Sequence, residues 1–385
     1  MKIVHIALCG PVTDGWNYQD NMIPMYNAQD GHEVTMITSQ SVFTKDGTIG
    51  TYNKSDYYYD GVKIIRLKMV VGKNAFSQIK KYSGLKEVLE NEQPNLIFIH
   101  NISFLDIYQI SDYAKKHKVT IYADNHNDFS NSGRNFISKN ILHKGLWRHM
   151  AQVINPYVTT FYGVLPARVD FLKDVYGLPK NKVEILVMGA DDKQVERVEK
   201  ERIREKIRGQ YKVEENDFLV MTGGKIDSFK WQTLLLMEAV ANCKIANIKL
   251  IVFGSVSQDL KPKFERLVDD NRIKYIGWIN TEQSYDCFSA ADLVVFPGRH
   301  SVFWEEVAGL GIPMLCKYWD GTTHIECGGN VHFLHEDSAA EIESELEKLV
   351  GTAEYDKMKH AAIRNKDRFS YREIARRAIG DKRQS

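Results

Sequence analysis

The stretch FLVMTGGKIDSFKWQTLLLMEAV, residues 218–240, has the pattern of a buried strand, a glycine turn and a helix. Its first residues are apolar or β-branched and do not alternate with polar ones, which is typical of a parallel strand covered on both faces. Gly223 and Gly224 form the turn, and an apolar-periodic helix is expected to open at Lys230. This order predicts the start of a Rossmann-like unit, in which ligands lie outside the carboxyl ends of the strands.

The same alternation of short apolar runs and helical segments extends along the chain, and the series starts twice. Strands are predicted at 2–8, 33–37, 62–67, 96–99, 119–122, 158–162 and 183–187, and again at 218–222, 248–253, 273–276, 293–296 and 314–317. Helix-like stretches separate most of them, which predicts an α/β chain with parallel sheets. Two such sheets facing each other would leave a central cleft between their strand ends.

The break between the two series falls near residues 190–217. Here the stretch KQVERVEKERIREKIR, residues 193–208, is highly charged and lacks apolar positions at heptad spacing. It is predicted as a solvated helix beside the inter-domain connection. The predicted domains are therefore 1–190 and 191–370, with a C-terminal helix in 371–385 that returns toward the first domain.

Composition excludes several classes of protein. The 385 residues carry a net charge of +1, so no overall positive field indicates a nucleic-acid partner. No run approaches the ~18 apolar residues that a membrane-spanning helix needs, and the apolar first residues are expected to form a strand. The five cysteines are odd in number and show no C-x-x-C spacing. Reduced thiols in a cytoplasmic protein are therefore expected, without disulfides or zinc.

Two lysines beside the glycine turn are the first candidates for binding phosphate. Lys225 and Lys230 lie five residues apart, next to Gly224. Two mobile point charges could neutralise a diphosphate without a metal ion. The alternative is that both are solvated loop lysines.

A second candidate anion site is the stretch LVVFPGRHSVFWEEVAGLGIPML, residues 293–315. A buried strand is expected to lead through an irregular loop into a helix that contains Glu305 and Glu306. Free N–H groups at such a helix start favour an anion. Glu306 is close enough to that end to accept hydrogen bonds from ribose hydroxyls, whereas Glu305 is expected to be solvated on another face.

Three segments resemble the retaining glycosyltransferases of family 4, which have the GT-B architecture. EVAGLGIP at 306–313 is similar to the family's E-A-x-A-x-G-x-P, and GGK-x4-K at 223–230 is similar to G-R-x4-K-G. KVEILVMGADD at 182–192 is similar to the stretch that ends in N-G-V-D. The resemblance covers nearly the whole chain and implies two Rossmann-like domains that face a central cleft.

The resemblance also implies roles in the second half. Glu306 would hold the donor ribose, and Lys225 and Lys230 would neutralise the diphosphate. The loop Gly277-Trp278-Ile279 would line the nucleotide base. The residues that the resemblance and the pattern together assign to donor binding are Gly224, Lys225, Lys230, Gly277, Trp278, Ile279, His300, Ser301, Val302 and Glu306.

One departure from the family pattern concerns the donor sugar. The family pairs two glutamates as E-x7-E, and the first position is occupied here by Gly298. Arg299 or His300 could take over the donor contacts, or the sugar could be held differently. The identity of the sugar is therefore left open by the sequence.

The first half supplies candidates for the acceptor side. His100 ends the strand LIFIH and occupies a position that resembles a family histidine, so it joins Lys225 and Lys230 as a predicted catalytic residue. The polar stretch after the next strand suits a hydroxyl-rich sugar, although a plain solvated loop looks the same. The predicted acceptor or cleft residues are Gly10, Gly15, Asp124, His126 and Arg134.

The segment from Lys63 to Lys86 contains seven basic residues and no acidic one. An amphipathic basic helix is predicted over Phe76–Lys86. It suits peripheral contact with the anionic inner face of a membrane. The alternative is a helix that packs on its sheet with its lysines outward.

The predicted activity is transfer of a sugar from a nucleoside diphosphate sugar, UDP- or GDP-linked, to the hydroxyl of a glycan or lipid-linked acceptor. The family implies retention of configuration and a role in assembling surface polysaccharide. No Asp-x-Asp motif occurs at these sites, so no metal cofactor is expected. Two alternatives remain open, a nucleotide-sugar 2-epimerase of the same architecture and a catalytically silent, glycan-binding partner subunit.

Overall fold

The computed structural model describes residues 1–44, 48–72, 77–133 and 135–381 of the chain. It divides into two compact units, Met1–Val187 with Tyr371–Ser385, and Met188–Ser370. Arg134 and Phe76, which the sequence analysis singled out, lie outside the described residues.

The first unit is built on a mainly parallel sheet with the order β12-β11-β10-β9-β1-β2-β6-β5. Its strands are β1 (Lys2–Ala7), β2 (Glu33–Ser39), β3 (Ser41–Phe43), β4 (Ile49–Thr51), β5 (Asp56–Tyr59), β6 (Val62–Leu67), β7 (Met69–Val71), β8 (Lys81–Tyr82), β9 (Leu96–His100), β10 (Thr120–Asn125), β11 (Val158–Gly163) and β12 (Val183–Ile185). Only the edge pairing of β5 with β6 is antiparallel among the described strand pairs of this sheet. The small pairs β3–β4 and β7–β8 stand apart from it.

Helices cover both faces of this sheet. They are α1 (Gln19–Gln29), α2 (Leu85–Glu92), α3 (Ile107–His117), α4 (Arg148–Ile154) and α5 (Pro166–Asp170), with π-helical turns at Ile137–Trp147 and Phe171–Val175 and a 3-10 turn at Lys180–Lys182. Strand β9 shows why the apolar runs do not alternate, because all of its residues are buried. Ile97 and Ile99 pack into one apolar cluster while Phe98 packs into the other.

The second unit repeats the design with a parallel sheet of order β15-β14-β13-β16-β17-β18. Its strands are β13 (Phe218–Gly223), β14 (Ile248–Phe253), β15 (Ile273–Tyr275), β16 (Leu293–Phe296), β17 (Met314–Lys317) and β18 (Val331–Leu334). Its helices are α6 (Asp192–Lys200), α7 (Ile203–Gln210), α8 (Thr233–Asn242), α9 (Lys261–Leu267), α10 (Thr281–Ala290), α11 (Phe303–Gly309), α12 (Ala339–Leu349) and α13 (Ala353–Asn365), with 3-10 turns at Thr323–Ile325 and Lys366–Phe369. The expected α/β class with parallel sheets is confirmed.

The last helix, α14 (Tyr371–Ala378), packs within the first unit against α1. The Arg376 guanidinium pairs with the Asp30 carboxylate at 2.7 Å, and the Asn27 amide donates to the Ala375 carbonyl at 3.0 Å. The chain therefore begins and ends in the same unit.

Two predicted helices are wrong in detail. The described part of the predicted basic helix, residues 77–84, forms a loop, the short strand β8 and a turn, and α2 begins only at Leu85. The charged stretch 193–208 is split, because Arg202 has a φ of +51° between α6 and α7. Asp292 accepts hydrogen bonds from Arg204 and Arg208 and so anchors α7 to its own unit.

No helix of the described ranges combines the length and the apolar character that crossing a bilayer requires.

Candidate functional site

The glycine turn after β13 holds a cation close to the backbone. Gly224 has a φ of +120°, and the Nζ of Lys230 lies 3.9 Å from where a Cβ on Gly224 would be. Burial lowers the pKa of Lys230, and the nearby carboxylate of Asp227 partly opposes this. Removing water around an ammonium group in this way strengthens its attraction to an anion. Lys230 is therefore placed to bind an anion at the turn.

Lys225 differs from Lys230 in its surroundings. Its side chain is 73% exposed, and its Nζ lies 3.4 Å from the carboxylate of Asp227. Helix α8 begins at Thr233, so Lys230 lies in the turn before the helix and does not open it as predicted. Sequence reasoning missed Asp227, which acts on both lysines.

Glu305 in α11 is fully buried, so the prediction that it is solvated is wrong. Its Oε1 accepts a hydrogen bond from His300 Nε2 at 2.9 Å and from His324 Nε2 at 2.8 Å. Burial alone raises the pKa of Glu305, but the charges and hydrogen bonds of the two histidines outweigh burial and lower it to about 2. We call these three residues the His–Glu–His cluster. His324 comes from the distant turn Thr323–Ile325, so no local pattern could have indicated it.

Glu306, the next residue, lies in the opposite electrostatic situation. Its side chain is buried, and its carboxyl group has the Ser284 hydroxyl 3.5 Å away. Burial, reinforced by the negative charge of Glu305, raises the pKa of Glu306 to about 8. Near neutral pH, Glu306 is therefore mainly an uncharged acid that can both donate and accept hydrogen bonds.

The His–Glu–His cluster is also the group of described residues whose ligand atoms could converge on a metal ion. One atom from each residue lies within 4.8 Å of the others. Each histidine Nε2 faces Glu305 Oε1, while Glu305 Oε2 and His324 Nδ1 are buried and have no hydrogen-bond partner among the described residues. A histidine must offer a lone pair to bind a metal. A cation would therefore have to replace the two hydrogen bonds on Oε1.

Gly298, which stands where the pattern that the sequence resembles has its first glutamate, is closely packed against its neighbours. A Cβ there would lie 3.2 Å from the Cα of Lys230 and 3.4 Å from Gln232 Oε1. The neighbouring Arg299 guanidinium lies over the rings of Phe229, at 5.0 Å, and Trp319, at 5.9 Å. Any larger residue at 298 would therefore require the loop or Lys230 to shift by a few tenths of an ångström.

The remaining predicted donor residues lie at strand ends or at the start of α11. The carbonyl of Gly277 accepts from the amide of Gly254 at 2.7 Å, and Trp278 beside it is 73% exposed. Ile279 follows in the loop before α10. The carbonyls of Ser301 and Val302 accept from Trp304 and Glu306 and form the first turn of α11.

His100 in the first unit belongs to a chain of buried polar side chains. Its Nε2 lies 3.1 Å from His5 Nδ1, and its Nδ1 lies 3.2 Å from Asp124 Oδ2. His126 Nε2 lies 3.4 Å from the same Asp124 oxygen. Burial alone raises the pKa of Asp124, but the two histidines reverse this and hold it well below its usual range. Burial lowers the pKa of His126, but Asp124 outweighs burial and raises it. The structure therefore brings together the predicted residues His100, Asp124 and His126.

Asn27, which lies next to His5, determines which ring nitrogen of His5 carries the hydrogen. Because the Asn27 amide donates to the Ala375 carbonyl, its Oδ1 faces His5 Nε2 at 3.1 Å as an acceptor. Burial and the charge of His100 lower the pKa of His5 well below its ordinary value, so His5 is neutral. With its hydrogen on Nε2, neutral His5 accepts from His100 at Nδ1. His100 then donates from Nε2 to His5, while its Nδ1 faces the Asp124 carboxylate.

The loop after β1, which contains the predicted residues Gly10 and Gly15, is tied to the sheet by a buried arginine. Arg66 donates to the Val12 carbonyl at 3.0 Å and to Asp14 at 2.8 Å. Gly15 has a φ of +78°, and a Cβ there would lie 2.8 Å from the Tyr59 hydroxyl, so this position requires glycine. Gly10 has open space around it. The loop is therefore held rigid on one side and open on the other.

Comparison with family models finds none that matches, and comparison with curated protein sequences also finds none. Solved structures do match. A glycosyltransferase from Rickettsia africae ESF-5 has a TM-score of 0.67 at 14% identity, over 98% of this chain and 96% of that one. Anabaena HepE in complex with UDP has a TM-score of 0.66 at 15% identity, over 98% of each chain. The UDP-GlcNAc 2-epimerase of Neisseria meningitidis has a TM-score of 0.62 at 13% identity, over 99% of each chain.

At these identities the likeness carries the architecture and no more. It extends over nearly the whole length of each chain compared. Both units described above, each with its own parallel sheet, are included in it. The chain thus has the GT-B fold of two Rossmann-like domains.

Proposed function

We propose that this chain transfers a sugar from a nucleoside diphosphate sugar to an acceptor hydroxyl. The observation that carries the proposal is the partly desolvated Lys230 beside the Gly224 turn, at the carboxyl end of β13, where ligands of open α/β sheets lie. Anabaena HepE, which has the same fold, was solved with UDP, with UDP and glucose, and with UDP-glucose. This favours UDP over GDP as the carrier.

In the proposed donor site each residue has one task. Lys230 neutralises the diphosphate, and the exposed Lys225 swings away from Asp227 to assist it. The amides near Ser301 and Val302 complete the phosphate site. Glu306, an uncharged acid at neutral pH, can accept a hydrogen bond from one ribose hydroxyl and donate to another.

The remaining contacts concern the base and the sugar. The exposed Trp278 ring offers a flat surface to the base. His300, held by Glu305, or Arg299, held by two aromatic rings, would reach the sugar in place of the glutamate absent at Gly298. His100 is proposed to contact the donor sugar or the acceptor, for which one of its ring nitrogens would have to exchange His5 or Asp124 for the ligand.

The proposed chemistry follows from these groups. The bond between the anomeric carbon and the diphosphate oxygen breaks, and the acceptor oxygen bonds to that carbon on the same face. The departing phosphate takes the proton of the acceptor hydroxyl, so configuration is retained and no metal is required. The protein contributes positioning and charge neutralisation. Membership of family 4 is part of the proposal, supported by the three sequence segments named above.

The setting of the reaction is proposed on the same basis. The absence of paired cysteine spacings favours a cytoplasmic enzyme, and the family resemblance favours assembly of a surface glycan on a lipid-linked or glycan acceptor. The structure reduces the number of basic residues in 63–86 that could contact a membrane. Arg66 and Lys80 are buried, and Lys63 pairs with Glu92 at 2.8 Å. Lys68, Lys81 and Lys86 remain for a membrane surface among the described basic residues.

A second candidate function is epimerisation of a nucleotide sugar at C2. The likeness to the Neisseria meningitidis epimerase is the observation that favours it. An epimerase converts its nucleotide sugar, without an acceptor, into the epimeric nucleotide sugar, whereas a transferase without acceptor hydrolyses its donor slowly to UDP.

The test is a panel of UDP- and GDP-linked sugars incubated with the full chain, with release of nucleotide and change of the sugar followed together. Nucleotide release that falls by about two to three orders of magnitude in Lys230→Ala, and stays unchanged in the exposed-lysine control Lys244→Ala, supports transfer. Epimer without nucleotide release supports the second candidate. If calorimetry shows that the chain binds neither UDP nor GDP, both enzyme proposals fail and the catalytically silent, glycan-binding subunit is favoured.

A further inference from the structure

A polar pocket opens within the first unit, where β1, β9 and β10 end. It has a volume of about 300 Å³, at the lower end of the range for small-molecule sites. Its walls include residues one or two positions after these strands end, Cys9, Asn101 and Asn127. Asn101 also connects the pocket to the proposed acceptor residues, because its amide N–H donates to Asp124 Oδ1 at 3.0 Å.

One wall of the pocket is a preformed network of amides and hydroxyls. Asn127 Nδ2 donates to Asn101 Oδ1 at 3.1 Å and to the Ser103 hydroxyl at 2.8 Å. The Ser103 hydroxyl donates in turn to Asn101 Oδ1 at 3.1 Å. Side chains held in place by one another lose little freedom when a ligand binds. This wall suits the hydroxyl groups of a sugar.

The pocket lining also contains a buried cation without a counter-charge among the described residues. Lys80 lines the pocket and is only 6% exposed, and its Nζ donates to the Cys9 carbonyl. None of the ion pairs found among the described residues involves Lys80, and the described lining contains no aspartate or glutamate. The sequence from Lys63 to Lys86 also contains no acidic residue. Burial accordingly lowers the pKa of Lys80, and no described carboxylate opposes this shift.

Nearly buried ammonium groups are costly unless something pairs with them. A single carbonyl acceptor leaves two of the three N–H groups of Lys80 to other partners. If Lys80 only tethered the loop to the Cys9 carbonyl, an uncharged hydrogen-bond donor would serve equally well. A polar wall that suits sugar hydroxyls, together with a cation that lacks a counter-charge, is what a sugar with an anionic group requires.

We infer that this pocket binds the acceptor, and that the acceptor is a sugar bearing an anionic group, a carboxylate or a phosphate, that pairs with Lys80. The hydroxyl groups of the sugar bond to Asn101, Ser103 and Asn127. The inference rests on the proposed function and deepens it, because it names the chemical class of the acceptor.

The experiment measures binding of matched probes to the full chain by calorimetry. Methyl β-glucuronide is compared with methyl β-glucoside, and glucose 6-phosphate with glucose. We expect at least one anionic probe to bind about tenfold or more tighter than its neutral match, as a charge-assisted hydrogen bond provides. The better of the two anionic probes tells a carboxylate from a phosphate.

Variants then assign the preference to Lys80. Lys80→Met keeps the length of the side chain and is expected to abolish the preference for the anionic probe, while leaving binding of the neutral probe in place. Lys81→Met makes the same change at the exposed neighbour and should keep the preference. If Lys80→Met does not fold, the comparison of probes on the unaltered chain still decides.

Equal or weaker binding of both anionic probes, no binding of any probe, or an undiminished preference in Lys80→Met would each overturn the inference. UDP binding is measured on the same preparation. If the chain does not bind UDP, the proposed function is contradicted. If it binds UDP but shows no preference for the anionic probes, only the assignment of the pocket is contradicted.

Discussion

Neutralising Glu306 should remove a large part of the pH dependence of stability in the second unit. The folded chain keeps the Glu306 proton up to a pKa of about 8, whereas the unfolded chain loses it near 4.5. Between these values the unfolded state binds fewer protons, so the free energy of unfolding falls as pH rises and levels off above about pH 8. A carboxylate without this proton is costly because it is buried beside Glu305.

The size of this effect follows from the two pKa values. Each pH unit between them is worth about 1.4 kcal/mol, so the full window from 4.5 to about 8 corresponds to roughly 5 kcal/mol at most. Glu306→Gln keeps the shape of the acid and has no proton to lose. The variant should therefore lose little stability near pH 5 and exceed the wild-type chain by a few kcal/mol at pH 8.

The assay is amide hydrogen exchange by mass spectrometry in peptides that cover Phe303–Gly309, corrected for intrinsic exchange, at several values between pH 5 and 9. Glu305→Gln is the matched control at the adjacent residue. The pKa of Glu305 is lowered to about 2, so its charge stabilises the folded state throughout this range, and its loss should destabilise the unit at every pH tested. If Glu306→Gln shows the same decline with pH as the wild-type chain, Glu306 is ionised in the fold and the reasoning fails.

Three further outcomes are expected. Lys230→Ala should lower kcat/KM for donor hydrolysis by a factor that corresponds to about 3–4 kcal/mol of lost transition-state stabilisation. Steady-state kinetics measures the change, with Lys244→Ala as the control. An unaltered rate would count against the donor site. Dialysis against EDTA should leave turnover unchanged, whereas a loss that Zn²⁺ restores would assign a metal to the His–Glu–His cluster. Asn27→Leu should lower the free energy of unfolding by about 1–3 kcal/mol, because the buried His5 N–H and the Ala375 carbonyl lose their partner; an unchanged melting temperature would contradict this.

The sequence predicts a strand correctly where a short apolar run alone determines where the strand begins and ends. The strands Val62–Leu67, Ile248–Phe253, Leu293–Phe296 and Met314–Lys317 have the bounds that their apolar runs predict. Strand β18 was missed because His332 interrupts its short apolar run and its two middle positions are partly exposed. The antiparallel edge strand β5 was missed because DYYY is mostly exposed.

The site was less predictable because its important contacts are long-range. Glu305 looks like an ordinary helix surface residue until His324 is brought to it from a distant turn. Similarly, Lys80 looks like part of a basic helix, but the segment forms a loop that buries the ammonium group against the Cys9 carbonyl. A run of charged residues predicts an exposed helix face only where the chain forms one continuous helix. Residues 193–208 do not, because the chain breaks at Arg202 between α6 and α7.

The most direct test of the donor site is a crystal structure of the chain soaked with UDP. The account predicts the diphosphate beside Lys230 Nζ at the Gly224 turn, with ribose hydroxyls hydrogen-bonded to the carboxyl group of Glu306. UDP bound elsewhere, or bound here with both side chains directed away from it, would contradict the central claim.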